Sequence, residues 1–273
     1  MIPSQVEYTP STPRWDWYGA SLEVDSATAL ALIGSALDAA PRDSRPRLSY
    51  QHAREFRAGD RTIAAVMWGG TNADPYVVGT SQDADTLATA IRTLGIPHRV
   101  SRADVCIDID APGAFEALAT RLRELALKAG LRLELIQDPD RPERGRTLYV
   151  GSRKGRGYVR LYEKGKKDDP SRPNWVRFEV ELKPGSRVEK AHLATLEPVD
   201  ALGLLRWVRG FVAEQFNFAA AAAPVRLANV GDDERALSAM VNQYGKVLAR
   251  TAWRQGGWEA VGPLLRALMG SAD

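Results

Sequence analysis

The chain has 273 residues, 44% of them hydrophobic and 26% charged, with a formal net charge of +3. This is ordinary globular composition with ample length for a core. The single Cys106 excludes an internal disulfide and a multi-cysteine metal site and is compatible with a reducing compartment. No apolar run approaches the ~20 residues that span a bilayer, and the N-terminus has no apolar signal core, so a soluble cytoplasmic protein is expected.

In chain order, residues 1–15 read as a disordered lead. Residues 16–24, DWYGASLEV, read as a first strand. Asp25 or Ser26 can then cap a helix running to about Ala39, because their side chains accept a first-turn N–H. Residues 48–57 and 62–68 read as strands joined by the turn AGD, and PYVVGT adds a third. A second helix starts at Asp83, with Leu87, Ile91 and Leu94 on one stripe and Gly95 as its stop.

The pattern then begins again. Residues 102–110, RADVCIDID, alternate: Val105, Ile107 and Ile109 share one face, and Asp104, Cys106, Asp108 and Asp110 the other. A helix follows with Phe115, Leu118, Leu122 and Leu125 at helical spacing and Gly130 after it. LRLELIQD is a strand, DPDRPERGR a loop, residues 147–164 two more strands, and NWVRFEVELK the last. The class is therefore α+β: an antiparallel-rich sheet with helices on one face and two related halves sharing it. The catalytic region is expected over 16–216, a linker over 217–231 and a C-terminal helical segment over 232–273. In that last segment five basic and five acidic residues cancel. A packed helical hairpin fits it better than a helix-turn-helix.

The charge is unevenly placed. Residues 147–167, TLYVGSRKGRGYVRLYEKGKK, hold three arginines and four lysines against one glutamate. Clustered cations with tyrosines between them are the footprint of a polyanion partner such as nucleic acid. Tyr158, Arg160, Tyr162 and Lys164 share one strand face, opposite Val159 and Leu161. Residues 175–183 divide the same way, with Arg177, Glu179 and Glu181 opposite Val176, Phe178, Val180 and Leu182.

If these strands are neighbours, helices cover the aliphatic face and the other face gathers carboxylates, guanidinium groups and tyrosines. Carboxylate oxygens suit Mg²⁺ or Mn²⁺, and arginine holds phosphate bidentately. The pattern alone leaves other readings open. Tyr162 is also a good strand former, the carboxylates can simply pair with the arginines, and Cys106 can be a packing residue. His52, His98 and His192 form no metal-binding pair. GSRKGRG lacks the GK[ST] of a nucleotide-binding loop and precedes a strand rather than a helix.

RADVCIDID, GSRKGRGYVRLYEK and WVRFEVELK in this order resemble the rolling-circle replication initiators of the Rep-trans family, found on small plasmids and in filamentous phages. The likeness covers roughly residues 100–190 well and the N-terminal half loosely. It implies an endonuclease that nicks one strand of its origin, stays joined to the 5′ phosphate through tyrosine, and later rejoins the strand. The family's YEK tyrosine matches Tyr162, with Tyr158 in reserve. Its divalent metal, Mg²⁺ or Mn²⁺, matches Asp104, Asp108 and Glu179, with Glu181 in reserve. DNA contacts are expected from Arg153, Lys154, Arg156, Arg160, Lys164 and Arg177. The partners expected are origin DNA, double- and single-stranded, a host helicase and a second copy in a homodimer. Two rivals share these residues: a DNA-binding regulator without catalysis, and a metal-dependent nuclease in which water attacks.

Overall fold

Alternation of apolar and polar residues decides which way each strand faces, and hairpin turns bring the strands side by side. The computed structural model describes residues 8–221 and 232–269. The chain divides into two units, residues 1–228 and 229–273.

The first unit opens with β1 (Arg14–Leu22), α1 (Ser26–Ala36), β2 (Arg42–Asp43), β3 (His52–Ala58), β4 (Arg61–Trp68), β5 (Tyr76–Thr80) and α2 (Asp83–Thr93). It continues with β6 (His98–Asp110), α3 (Ala114–Ala129), β7 (Leu133–Ile136), β8 (Thr147–Val150), β9 (Gly157–Tyr162), α4 (Lys164–Asp168) and β10 (Trp175–Leu182). Three helices close it: α5 (Arg187–Thr195), α6 (Pro198–Ala201) and α7 (Arg206–Phe216).

All ten strands join one antiparallel sheet in the order β2-β3-β4-β5-β1-β6-β10-β9-β8-β7. The order is a palindrome. Each half is a strand, a helix and four strands, with its first strand returning to the centre, so that β1 and β6 pair along the midline. The α+β class with two related halves is therefore what the sheet displays.

One cluster of buried residues joins the helices to one side of the sheet. Ile33, Leu87, Ile91, Leu118, Leu122, Leu193, Val208 and Phe211 meet Tyr18, Val66, Val105, Ile107, Leu161, Phe178 and Val180. The helices cap as their sequences indicate. Asp25 accepts from the Thr28 N–H at 2.9 Å, and Gly130 closes α3 in the left-handed region. Leu94 departs from the expected stripe: it is the C-cap residue directly after α2 and is 42% exposed.

The expected lead is shorter than residues 1–15. Strand β1 begins at Arg14, and Ser11 exchanges hydrogen bonds with the Asp108 backbone at 2.8 and 2.9 Å. Tyr8 packs edge-on against Phe216. Residues 1–7 lie outside the described residues. So do 222–231 of the expected linker, while residues 217–221 are tied to the first unit: Ala220 is buried, and the Ala221 N–H donates to Asp200.

In the second unit α8 (Asp232–Arg254) and α9 (Val261–Met269) are separated by Gly256 and Gly257, both at positive φ, where the break was expected. Among the described residues, no helix is long and apolar enough to cross a membrane.

Candidate active site on the open face of the sheet

The register of β6, β10 and β9 lays their polar side chains out as a grid. One row is Asp108, Arg177 and Tyr162; the next is Cys106, Glu179 and Arg160; the third is Asp104, Glu181 and Tyr158. The three strands expected to share a charged face are thus adjacent and face the same way, on the side of the sheet opposite the main helical core. Each row is one strand spacing, about 4.8 Å, between neighbours, which is short enough for direct hydrogen bonds.

The Tyr162 hydroxyl donates to Glu179 Oε2 at 2.9 Å, and Arg160 pairs with the other oxygen of Glu179. The tyrosine is half-buried. Burial and then the Glu179 charge push its pKa well above the usual phenol value, partly offset by Arg177. Tyr158 repeats the arrangement one pleat back, donating to Glu181 Oε2 at 2.8 Å, but it is only 5% exposed. Burial and the same kind of carboxylate contact push it up too.

Asp104 is the hub of the carboxylates. Arg102 Nη2 reaches it at 2.7 Å and Glu181 at 3.0 Å, while Arg160 Nη2 reaches it at 3.2 Å and also touches Glu179. Two guanidinium groups therefore bridge Asp104, Glu179 and Glu181. Burial pushes the Asp104 carboxyl up to about 7, against the pull of Arg102. Glu181 is held below the usual carboxylate range: burial opposes its charge, but Lys183, Arg102 and Tyr158 outweigh it.

Asp108 does not join this cluster. Arg177 binds it bidentately, Nε to Oδ1 at 2.6 Å and Nη2 to Oδ2 at 2.8 Å, and Arg14 and the Trp175 indole each add a bond at 2.9 Å. Burial opposes its charge, yet these donors hold its pKa below the usual range. Both Asp108 oxygens are thus engaged with Arg177, Arg14 and Trp175, as both Asp104 oxygens are with Arg102. The expected donors Asp104, Asp108 and Glu179, with Glu181 beside them, are hard oxygen groups of the kind Mg²⁺ or Mn²⁺ prefers; among the described residues, no three such side chains are already arranged around an ion position.

The expected DNA contacts also separate. Arg153 and Lys154 are exposed at the tip of the β8–β9 hairpin, Arg153 over the Tyr149 ring at 4.7 Å. Arg156 is turned away to pair with Glu189 at 2.5 Å. Arg177 is 2% exposed and pairs with Asp108 and Asp16. Lys164 opens α4 instead of continuing the strand, and sits 5.9 Å from the Tyr162 ring centre and 5.0 Å from that of Trp175. Glu163 of the YEK triplet is structural: buried, it accepts from the Arg146 backbone and guanidinium, and from Lys166.

Asp16 and Arg14 were missed. Asp16 receives Arg177 Nη1 at 2.7 Å. A bulge between Trp15 and Trp17 puts Trp15 in the helical core and Trp17 on the open face, which unbroken alternation forbids. No local signal marks it.

The family model described as a replication initiation factor, Rep_trans, matches residues 115–241, just under half of the chain. The match takes in Tyr162, Glu179 and Glu181 and begins after Asp104 and Asp108. The resemblance read from the motifs is therefore found independently. No curated protein matches the chain. Among solved structures it is similar to the rolling circle replication initiator protein from Geobacillus stearothermophilus, with a TM-score of 0.53 over 82% of this chain and 99% of that one. At 16% identity this is a likeness of fold.

Proposed function

We propose that this chain, similar over residues 115–241 to the replication initiation factors, is a rolling-circle initiator that cuts and rejoins one DNA strand through Tyr162. The observation that carries this reading is the hydrogen bond from Tyr162 to Glu179 on a charged, partly open sheet face. It supplies a nucleophile with its proton acceptor already in place.

Glu179 takes the phenol proton as the Tyr162 oxygen attacks phosphorus. The bond from phosphorus to the 3′ oxygen breaks, and that oxygen leaves as a hydroxyl by taking a proton from solvent water, while Glu179 returns the phenol proton to solvent. The 5′ phosphate stays on Tyr162 as a diester, so rejoining is the same step reversed and needs no nucleotide. The raised pKa of Tyr162 means that its proton leaves only when positive charge offsets Glu179. Arg160, already at Glu179, is the near source and can also meet the phosphate oxygens. Asp104, Asp108 and Glu179, with Glu181 in reserve, would hold Mg²⁺ or Mn²⁺, which when bound supplies Lewis-acid stabilisation of the phosphate charge. Arg153, Lys154 and Lys164 are the cations placed to track the backbone.

The test is denaturing electrophoresis of the protein after incubation with labelled single-stranded origin DNA and Mg²⁺. A covalent adduct is expected with wild type, and none with Tyr162→Phe, which removes one oxygen and keeps the fold. Cleavage without an adduct would replace tyrosine by water as the nucleophile. An adduct mapping to Tyr158 would move the assignment one pleat back.

A further inference from the structure

The first half of the sheet has its own open face, and its chemistry is different. There Ala53, Ala65, Met67, Tyr76 and Val78 form a second apolar cluster, roofed by Trp17 and Tyr50. Tyr50 stacks on Tyr76, with centroids 5.9 Å apart and planes at 15°. Tyr76 in turn lies over Gly19, where any Cβ would strike its hydroxyl. Arg102 stacks on Trp17 at 4.4 Å. The outer face of Tyr50 is left half-exposed.

Three further observations say what this face fits. It is continuous with the candidate active site, because Trp17 is the cross-strand neighbour of Asp104 and Arg102 binds both Trp17 and Asp104. It is bordered by positive charge: residues 41–57 carry five arginines against two acids. Of these, Arg45 and Arg47 are exposed and form no ion pair among the described residues. The turn that delivers Tyr50 is strained, with Leu48 at φ +55° and Ser49 at φ +64°. A bulky residue is held in the left-handed region only where the surroundings demand it.

We propose that this face, Trp17 and Tyr50 backed by the buried Tyr76, with Arg45, Arg47 and Arg102, binds the single-stranded DNA that leads away from the scissile phosphate. The inference rests on the reading of Tyr162 as the DNA-cutting residue, which places a strand beside Asp104. Aromatic faces among cations stack bases of any sequence, provided the bases are unpaired. A duplex hides those faces. The first half would then hold the strand that the second half cuts.

The test measures anisotropy of labelled oligothymidine, about four and about sixteen nucleotides long, in chelator so that no cutting occurs. Tyr50→Ala is expected to bind the longer strand about tenfold more weakly, since one base–aromatic stack is removed, and the shorter one unchanged. Tyr50→Phe keeps the ring and is expected to bind as wild type. If Tyr50→Ala does not fold, Arg45→Gln with Arg47→Gln serves instead. It should flatten the dependence of log affinity on log salt by ~0.7 for each phosphate no longer neutralised.

Unchanged affinity of Tyr50→Ala for the longer strand overturns the proposal. So does an equal loss for duplex and single strand, which would mark a backbone track without stacking. The two readings fail separately. Weakened oligothymidine binding by Tyr50→Ala when wild type forms no adduct sinks the nicking reading alone, and a normal wild-type adduct with unchanged affinity of Tyr50→Ala sinks the platform alone.

Discussion

On the open side of the sheet β4 presents Ala65 and Met67 where its counterpart β9 presents Tyr158, Arg160 and Tyr162. The backbones are alike: each strand is the third in its half's meander and pairs with the strand that follows it. What differs is how each face is kept stable. The first half buries apolar and aromatic surface, which needs no partner. The second buries Asp104, Arg177, Glu179 and Glu181, each less than 4% exposed, and a charge at that depth persists only when paired and hydrogen-bonded. Every one of the four is paired. The comparison teaches that this fold tolerates either solution, an apolar cluster on the open face of one half and an ion-pair lattice on that of the other.

The largest test of that contrast is Glu179→Gln. It keeps the shape and removes the proton acceptor, so the cutting rate should fall about a hundred- to ten-thousandfold, while single-strand affinity holds. Single-turnover cleavage kinetics give the number. A rate within a few fold of wild type would leave Tyr162 activated by something other than its carboxylate neighbour.

Next comes a matched pair of core deletions. Arg177→Met leaves Asp108 and Asp16 half-buried without their shared cation, and should cost about 3–5 kcal/mol of unfolding free energy in urea titration. Met67→Ala on the other half should cost about 2–5 kcal/mol by cavity formation. Only the first should change the pH dependence of stability from that of wild type, the loss shrinking as Asp108 is protonated in acid. If the two curves run parallel with pH, the lattice does not set the difference between the halves.

A smaller effect concerns Asp104. Its carboxyl is raised to about 7 by burial, so the folded protein takes up a proton that the unfolded chain does not hold between about 4 and 7. Stability from this group is present in acid and lost as pH rises towards 7. The melting temperature of wild type should therefore fall relative to Asp104→Asn across that window. Metal affinity should move the opposite way, rising with pH through about 7, because only the ionised carboxylate is a ligand. Calorimetric Mn²⁺ titrations at pH 6 and 8 would show it.

The smallest effect is at the hairpin tip. Neutralising Arg153 and Lys154 together should reduce the slope of log affinity against log salt by ~0.7 for each phosphate of the single strand that the tip had neutralised. It should leave cutting at saturating DNA unchanged. An unaltered slope would remove the tip from the DNA track.

Local periodicity is a property of the chain itself, and what depends on it was legible in the residues. The alternation in β6, β9 and β10 placed Asp104, Arg160, Tyr162 and Glu179 on one face before any fold was known. Asp25 and Gly130 marked helix ends because capping involves only neighbouring residues. The partnership of each charge was not legible. Arg177 meets Asp16 across 161 residues of sequence, and the same arginine, with Arg14 and Trp175, holds Asp108. Arg156 was one of several cations in a basic run until α5 brought Glu189 beside it. Side-chain spacing within a strand follows from a repeat of two residues, but which cation meets which carboxylate depends on strand order and on one bulge in β1. Both are decided by how the two halves pack along β1 and β6, and only the tertiary structure contains that information.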